Sequence, residues 1–286
     1  MISIPESYIK VDKLNEMQQL LYYLTDLFHE YCERHHLIYN LYGGSLLGAV
    51  RHGAMIPWDD DVDMSMPRGD YERLINLIKN DTSLPFIVMA PGDSNYVYPF
   101  AKIVLKDSLL IESRLRADYR RFGLYLDIFP IDGFGNVERY NSIKKYGIGR
   151  INSVMNMETS PVWWKKPYVV IRACRMLPCR LKGYSYYLDL ELKAAESYPF
   201  ESSNEVCCVA GSWYEKGRIQ RDIYLDRCQY PFGRLNCWGI KKYEHHLVNL
   251  YGDYMKLPPE KERAPHHTYD LYIDGKMFEK IIALKY

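Results

Sequence analysis

Residues 57–64 read Pro57-Trp58-Asp59-Asp60-Asp61-Val62-Asp63-Met64 and put four carboxylates into five positions, directly after an apolar stretch and a tryptophan. Like charges held this close repel one another, and a divalent cation bound among them removes the repulsion. The polar–apolar alternation from Asp61 to Met66 is strand spacing. It turns residues i and i+2 to one face, with Cα atoms roughly 6–7 Å apart. Asp61 and Asp63 are therefore expected to converge on one metal ion, or to bridge two ions about 3.5–4 Å apart. Such a site suits transfer of a phosphate-bearing group. Asp59 and Asp60 read as residues that cap or solvate the start of the strand, with metal ligation as the alternative.

Two other segments carry chemistry of the same kind. Gly43-Gly44-Ser45 lies between an expected strand and an expected helix; glycine lets backbone N–H groups approach an anion closely, and a helix start adds a favourable partial charge. Leu124-Tyr125-Leu126-Asp127-Ile128-Phe129-Pro130 is an apolar strand pattern with a single acid in its middle, and a charge there is costly unless it is paired or metal-bound. Asp132, before Gly133, reads as a turn residue, and Arg68 as a solvated residue at a helix start.

The elements that must position these groups follow from periodicity. Asp12 reads as an N-cap, and Leu14, Met17, Leu20, Leu21, Leu24, Leu27, Phe28 and Tyr31 recur at helical spacing up to His35-His36. A strand is expected at 37–42, a short helix from Leu46 to Arg51, the acidic strand ending at Pro67, and an amphipathic helix over 68–79. Further strands are expected at 86–89, 101–105 and 124–129, and Pro258-Pro259 reads as the close of a late helix. Helices and strands mix without strict alternation, which favours an α+β fold with a mixed sheet.

The chain has 286 residues, enough for one large domain or two small ones, and a formal net charge of +1, so no global field draws in nucleic acid. It has 27 tyrosines, which bury well while keeping a polar tip and suit half-wet walls and grooves. Seven cysteines without a C-x-x-C pair read as reduced thiols in the cytosol. The N-terminus does not read as a secretory signal, and no apolar run reaches the ~20 residues of a membrane span. Residues 143–182 differ from the rest: nine basic side chains stand against one acid, Glu158, with Trp163, Trp164 and Tyr168 among them. This reads as a solvated helical insertion with a tryptophan pair in the core, or as a segment that meets a membrane surface or an anionic acceptor.

A Gly-Ser turn, a D-x-D strand and a third carboxylate on a later strand make up the nucleotidyltransferase-fold arrangement. Residues 42–53 (YGGSLLGAVRHG) and 56–63 (IPWDDDVD) resemble the LicD family closely, as do 127–133 (DIFPIDG) and 250–259 (LYGDYMKLPP). The family is similar to the fukutin-like proteins and includes bacterial phosphocholine transferases. The resemblance implies a nucleotidyltransferase-like mixed-sheet core over 1–135, with flanking helices, and a basic, aromatic insertion and helical C-terminal part over 136–286 packed on it. It implies a CDP-alcohol donor, typically CDP-choline, and a sugar hydroxyl of a surface glycan such as a teichoic acid, capsule or lipopolysaccharide precursor as acceptor. Mg²⁺, or Mn²⁺ in its place, would be held by Asp61, Asp63 and Asp127. Gly43, Gly44 and Ser45 would touch phosphate, and Arg51 and Lys102 would be phosphate cations. Ribitol or glycerol phosphate as cargo, a nucleotidyltransferase using NTP, and a silent nucleotide-binding scaffold of glycan assembly are the competing readings. The location expected is cytoplasmic, with peripheral contact at the inner face of the plasma membrane through 143–182.

Overall fold

The computed structural model describes residues 4–112, 114–119, 121–155, 167–209, 211, 213–265 and 269–286. Trp163, Trp164 and His266-His267 lie outside them. β1 (Tyr8–Val11) leads into α1 (Leu14–Arg34), which buries Leu20, Leu21, Leu24 and Phe28 on one face. Lys13, not Asp12, holds the cap position, and it makes no side-chain cap bond. Asp12 instead pairs with Lys10 at 3.1 Å, because β1 continues almost to the helix and leaves no turn for a capping acid. Of the strand expected at 37–42 only β2 (Asn40–Leu41) forms. α2 then starts at Gly43 and runs to His52, so Gly-Gly-Ser is a first helical turn and not a loop ahead of one.

β3 spans Asp63–Pro67, which leaves Asp61 in the loop before it. α3 (Arg68–Lys79), β4 (Phe86–Met89) and β5 (Ala101–Leu105) take the bounds their patterns suggest. β6 (Ser108–Glu112), β7 (Arg121–Phe122) and β8 (Tyr125–Gly133) follow. β8 runs on through Pro130 and Asp132. Next come α4 (Val137–Val154), α5 (Pro167–Lys182) and α6 (Tyr184–Ala195). The remainder holds strands as well as helices: β9 (Glu205–Cys207), β10 (Ile219–Gln220), α7 (Arg221–Leu225), the hairpin of β11 (Arg227–Phe232) and β12 (Leu235–Ile240), α8 (Tyr243–Tyr251), β13 (Tyr269–Asp274) and α9 (Gly275–Leu284). α8 ends where Gly252 takes a positive φ of 69°, a conformation glycine adopts without steric cost, so Pro258-Pro259 lies well past the helix and does not close it.

β8 organises the central mixed sheet. Parallel β3 pairs with it, with Asp63 beside Asp127 and Ser65 beside Phe129. Antiparallel β5 takes Tyr125 to Ile128, and β9 takes Asp132 and Gly133. β2 extends the sheet beyond β3, and β4 beyond β5. A second, antiparallel sheet runs β1-β13-β6-β7 and joins the two chain ends. The core between α1 and the sheet includes Leu24, Met64, Met66, Ile103, Leu126 and Ile128, all essentially inaccessible; each such side chain contributes about 1.5–3 kcal/mol by leaving water. Arg68, read from sequence as solvated, and Asp132, read as a turn residue, form a fork-to-fork pair at 2.8 and 2.5 Å, with Asp132 buried. The strand carries Asp132 inward beneath the start of α3, where only a bidentate cation offsets the cost of its burial.

Candidate active site

The register of β3 on β8 sets Asp63 and Asp127 side by side, on neighbouring strands about 4.8 Å apart. Lys102 of β5 is opposite Asp127 on its other side. Asp127 also donates its N–H to the carbonyl of Val62 at 3.1 Å, which ties the acidic loop to β8 just ahead of the strand pairing. Asp63 is fixed by its own backbone: its N–H donates to Ser45 Oγ at 2.9 Å, and its carbonyl accepts from Tyr42 N–H at 3.0 Å.

The loop carrying the other acids is tied down from two elements, α1 and β13. Gln18 of α1 donates to the carbonyls of Ile56 and Asp59 at 3.1 and 2.8 Å. The Tyr269 hydroxyl of β13 donates to the carbonyl of Asp60 at 2.8 Å. Met55 N–H donates to the Tyr22 hydroxyl of α1 at 2.8 Å. Asp59, Asp60 and Asp61 each offer a carboxylate oxygen within 4.8 Å of the others, and among the described residues this is the one such cluster of acids, histidines or cysteines.

The electrostatics follow from this crowding. Burial, then the charges of Asp61, Asp127 and Asp59, push the Asp63 carboxyl well above the usual carboxylate range; Lys102 pulls the other way. Burial and the Asp61 carboxylate push Asp59 up to about 8. The α2 start is pressed against both. Gly43 has φ +52°, and a Cβ there would meet Asp63 Oδ2 and the Tyr251 hydroxyl at 3.5 Å. A Cβ on Gly44 would stand 3.1 Å from Asp59 Oδ2. The glycines thus let the positive end of a ten-residue helix close over carboxylates.

Not every expected residue sits as its type suggests. Ser45 N–H is already bonded to the Tyr42 carbonyl at 3.0 Å, and its Oγ accepts from Asp63 N–H. Its proton remains the one group it can offer a ligand. Lys102 is 1% exposed. Its ammonium contacts the Asp127 carboxylate and faces the rings of Tyr125 at 3.4 Å, Tyr98 at 4.5 Å and Phe100 at 5.4 Å. Arg51 points to the outside of α2, where Nη1 donates to the Tyr254 carbonyl at 2.8 Å. There it lines a cavity of about 470 Å³ with Trp58, Tyr251, Tyr254, Asp253 and Glu262. Tyr251 was missed by motif reasoning: burial and the charges of Asp63, Asp59 and Asp61 raise its hydroxyl pKa. Its signal was its place in the 250–259 block, read there for resemblance and not for chemistry.

The donor set is carboxylate oxygen throughout, the ligand type hard divalent ions such as Mg²⁺ take. The crowding that lifts Asp59 and Asp63 is the kind a cation relieves, so the residues present fit a divalent metal. Residues 36–132 match the family described as LicD/FKTN/FKRP, nucleotidyltransferase domain. The chain is 29% identical over 272 residues, 91% of its length and 98% of the relative's, to the lipopolysaccharide cholinephosphotransferase LicD of Haemophilus influenzae. It is 27% identical to an uncharacterized protein of Rickettsia prowazekii, over 51% of this chain and 64% of that one. An uncharacterized protein of Rickettsia typhi is 26% identical over 52% of this chain and 46% of its own.

Proposed function

From the match of residues 36–132 to the LicD/FKTN/FKRP nucleotidyltransferase domain, we propose that the chain moves phosphocholine, or a related alcohol phosphate, from a CDP-alcohol to a sugar hydroxyl of a surface glycan, releasing CMP. The observation that carries this reading is the register of β3 on β8, which sets Asp63 beside Asp127 under the glycine turn of α2 and next to the Asp59–Asp61 loop. The Haemophilus relative's name supplies the cargo and a lipopolysaccharide acceptor. Asp61, Asp63 and Asp127 would hold Mg²⁺, with Asp59 as a further ligand. The metal, when bound, neutralises charge on the transferring and leaving phosphate oxygens.

The chain's own residues supply the rest. The start of α2 and the Ser45 hydroxyl bind the diphosphate. Asp127 orients the attacking hydroxyl and takes its proton as the oxygen–phosphorus bond forms, a role worth about 10²–10⁴-fold. Lys102 holds the Asp127 carboxylate in place through their ion pair. The cavity of about 470 Å³ beside α2 is lined by Trp58, Tyr251 and Tyr254 together with Asp253 and Glu262, residue types suited to a quaternary ammonium. The basic and apolar outer face of α4 and α5 meets the membrane that carries the acceptor. No helix among the described residues is long and apolar enough to cross a membrane.

The test is CMP release from a panel of CDP-choline, CDP-ribitol and CDP-glycerol with Mg²⁺ and extracted glycan. CMP from one donor, absent with Asp61→Ala, is the result expected. No CMP above that control with any donor overturns the reading. Pyrophosphate released from NTP would make the protein a nucleotidyltransferase instead, and tight CDP-ligand binding without turnover would make it a scaffold.

A further inference from the structure

Tyr251 is the last residue of α8. The helix stops directly after it, where Gly252 takes its positive φ, so the side chain is held at a helix end and not carried on a loop. Its ring packs edge-on against Trp213, at 5.6 Å between centroids. Tyr251 lines the cavity of about 470 Å³ beside α2. It also borders the carboxylates. The point where a Cβ on Gly43 would stand is 3.5 Å from the Tyr251 hydroxyl and 3.5 Å from Asp63 Oδ2. A tyrosine of α8, an acid of β3 and the first glycine of α2 thus meet at one place, brought there by three elements.

What the hydroxyl can do there follows from its surroundings. It makes no hydrogen bond among the described residues. Burial, then the charges of Asp63, Asp59 and Asp61, raise its pKa, with Arg51 pulling the other way, so the phenol keeps its proton. A protonated phenol has one O–H to donate. Gly43 and Gly44 open α2, and the first N–H groups of a helix have no acceptor within it. Donors on one side, and carboxylates that suit a divalent cation on the other, surround the same point. An anionic oxygen fits between them, because it accepts from the donors and shares the cation with the acids.

We propose that Tyr251 touches the substrate: its hydroxyl donates to a phosphate oxygen seated at the start of α2, next to Asp63. That this phosphate belongs to a CDP-alcohol rests on the phosphotransferase reading above. Since the same side chain lines the cavity, Tyr251 is the residue shared by the phosphate and by the alcohol esterified to it.

Tyr251→Phe keeps the ring against Trp213 and removes the hydroxyl alone. The experiment is titration of the whole chain with CDP and with inorganic pyrophosphate, each with Mg²⁺ and read by calorimetry. Both are expected to bind the parent, and to bind Tyr251→Phe at least about tenfold more weakly, as the loss of a hydrogen bond to a charged group implies. The midpoint of thermal unfolding without ligand should stay the same in the two chains. A hydroxyl with a merely structural role would move that midpoint and leave the diphosphate affinities alone. Equal affinity of parent and variant for a diphosphate that binds overturns the contact, and so does a parent that binds neither. A parent that holds pyrophosphate more tightly than Tyr251→Phe by that factor, yet releases no CMP from any CDP-alcohol, keeps the contact and removes the transferase reading alone.

Discussion

At the scale of single residues, the site is a set of carboxyl groups crowded together at a cost that a bound cation would relieve. Burial and neighbouring acids raise Asp63, and they raise Asp59 to about 8. The folded chain therefore holds protons that the unfolded chain releases near pH 4. Stability from this source is complete below that pH and is lost as pH climbs through 8, at roughly 1 kcal/mol per pH unit for each excess proton held. With metal chelated, the midpoint of thermal unfolding is expected to fall between pH 6 and 8.5. Mg²⁺ should restore it, and by more at pH 8.5 than at pH 6, because binding displaces protons. Calorimetry at the two pH values with EDTA or Mg²⁺ checks this; an equal Mg²⁺ effect at both would contradict the crowding. Lys102 makes a sharper case. Lys102→Met removes the cation from a buried pair and is expected to cost about 3 kcal/mol in urea unfolding without metal. Adding Asp127→Asn in the same chain should recover a large part of that loss. If the double variant is no more stable than Lys102→Met, the pair is not what holds Asp127.

At the scale of elements, the glycine turn and the strand pairing do the positioning. Gly43 and Gly44 are adjacent but face different constraints. Gly43→Ala keeps tolerable contacts at 3.5 Å yet forces alanine to φ +52°, which costs about 1–2 kcal/mol. Gly44→Ala has no positive φ to hold and gains up to ~1 kcal/mol in helix propensity. Its Cβ, however, stands 3.1 Å from Asp59 Oδ2. The expected split is a less stable Gly43→Ala, and a Gly44→Ala at least as stable as the parent that needs more Mg²⁺ for half-maximal stabilisation. Thermal unfolding against Mg²⁺ concentration separates the two. Part of this arrangement was readable from the chain: local pattern fixes α3, β4 and β5, and the lone acid of an apolar strand marks Asp127, which the register sets beside Asp63. What stayed hidden is pairing across the sequence. Nothing in the pattern around Lys102 says that β5 lies against β8, so it looked like a phosphate cation and not a neighbour of Asp127. Arg68 and Asp132, far apart in the chain, looked like a solvated residue and a turn residue for the same reason. Asp61 falls outside β3 because the loop is fixed by Gln18 and Tyr269, which no alternation rule registers.

At the scale of the whole molecule, elements near both ends of the chain hold the acidic loop, and α4 and α5 carry exposed apolar side chains. β13 and α1 hold the acidic loop, while α9 returns to α1 through Gln19, which donates to the Tyr286 carbonyl at 2.6 Å, and through the Tyr286 hydroxyl, which donates to Asp26 at 2.8 Å. The insertion is not uniformly basic on its surface. Arg150 is buried against Glu191 at 2.7 Å, and Arg180 donates to the Met155 carbonyl at 2.9 Å. Ile148 and Ile151 of α4 and Leu177 and Leu181 of α5 are exposed, the last 80% accessible. Lys144, Lys145 and Lys182 are exposed on the same two helices. Apolar side chains ringed by lysine are the composition of an interfacial surface. Sedimentation with vesicles of phosphatidylglycerol and phosphatidylcholine is the measurement. The parent chain should pellet with them at low salt and less at high salt, since the lysine contribution is screened. Replacing Leu177 and Leu181 by glutamate removes about 1.5–3 kcal/mol of burial for each side chain, enough to weaken partition by more than tenfold. Both positions are exposed, so thermal stability should be unchanged in the same variant. Equal partition of the variant and the parent would mean that this face meets no membrane.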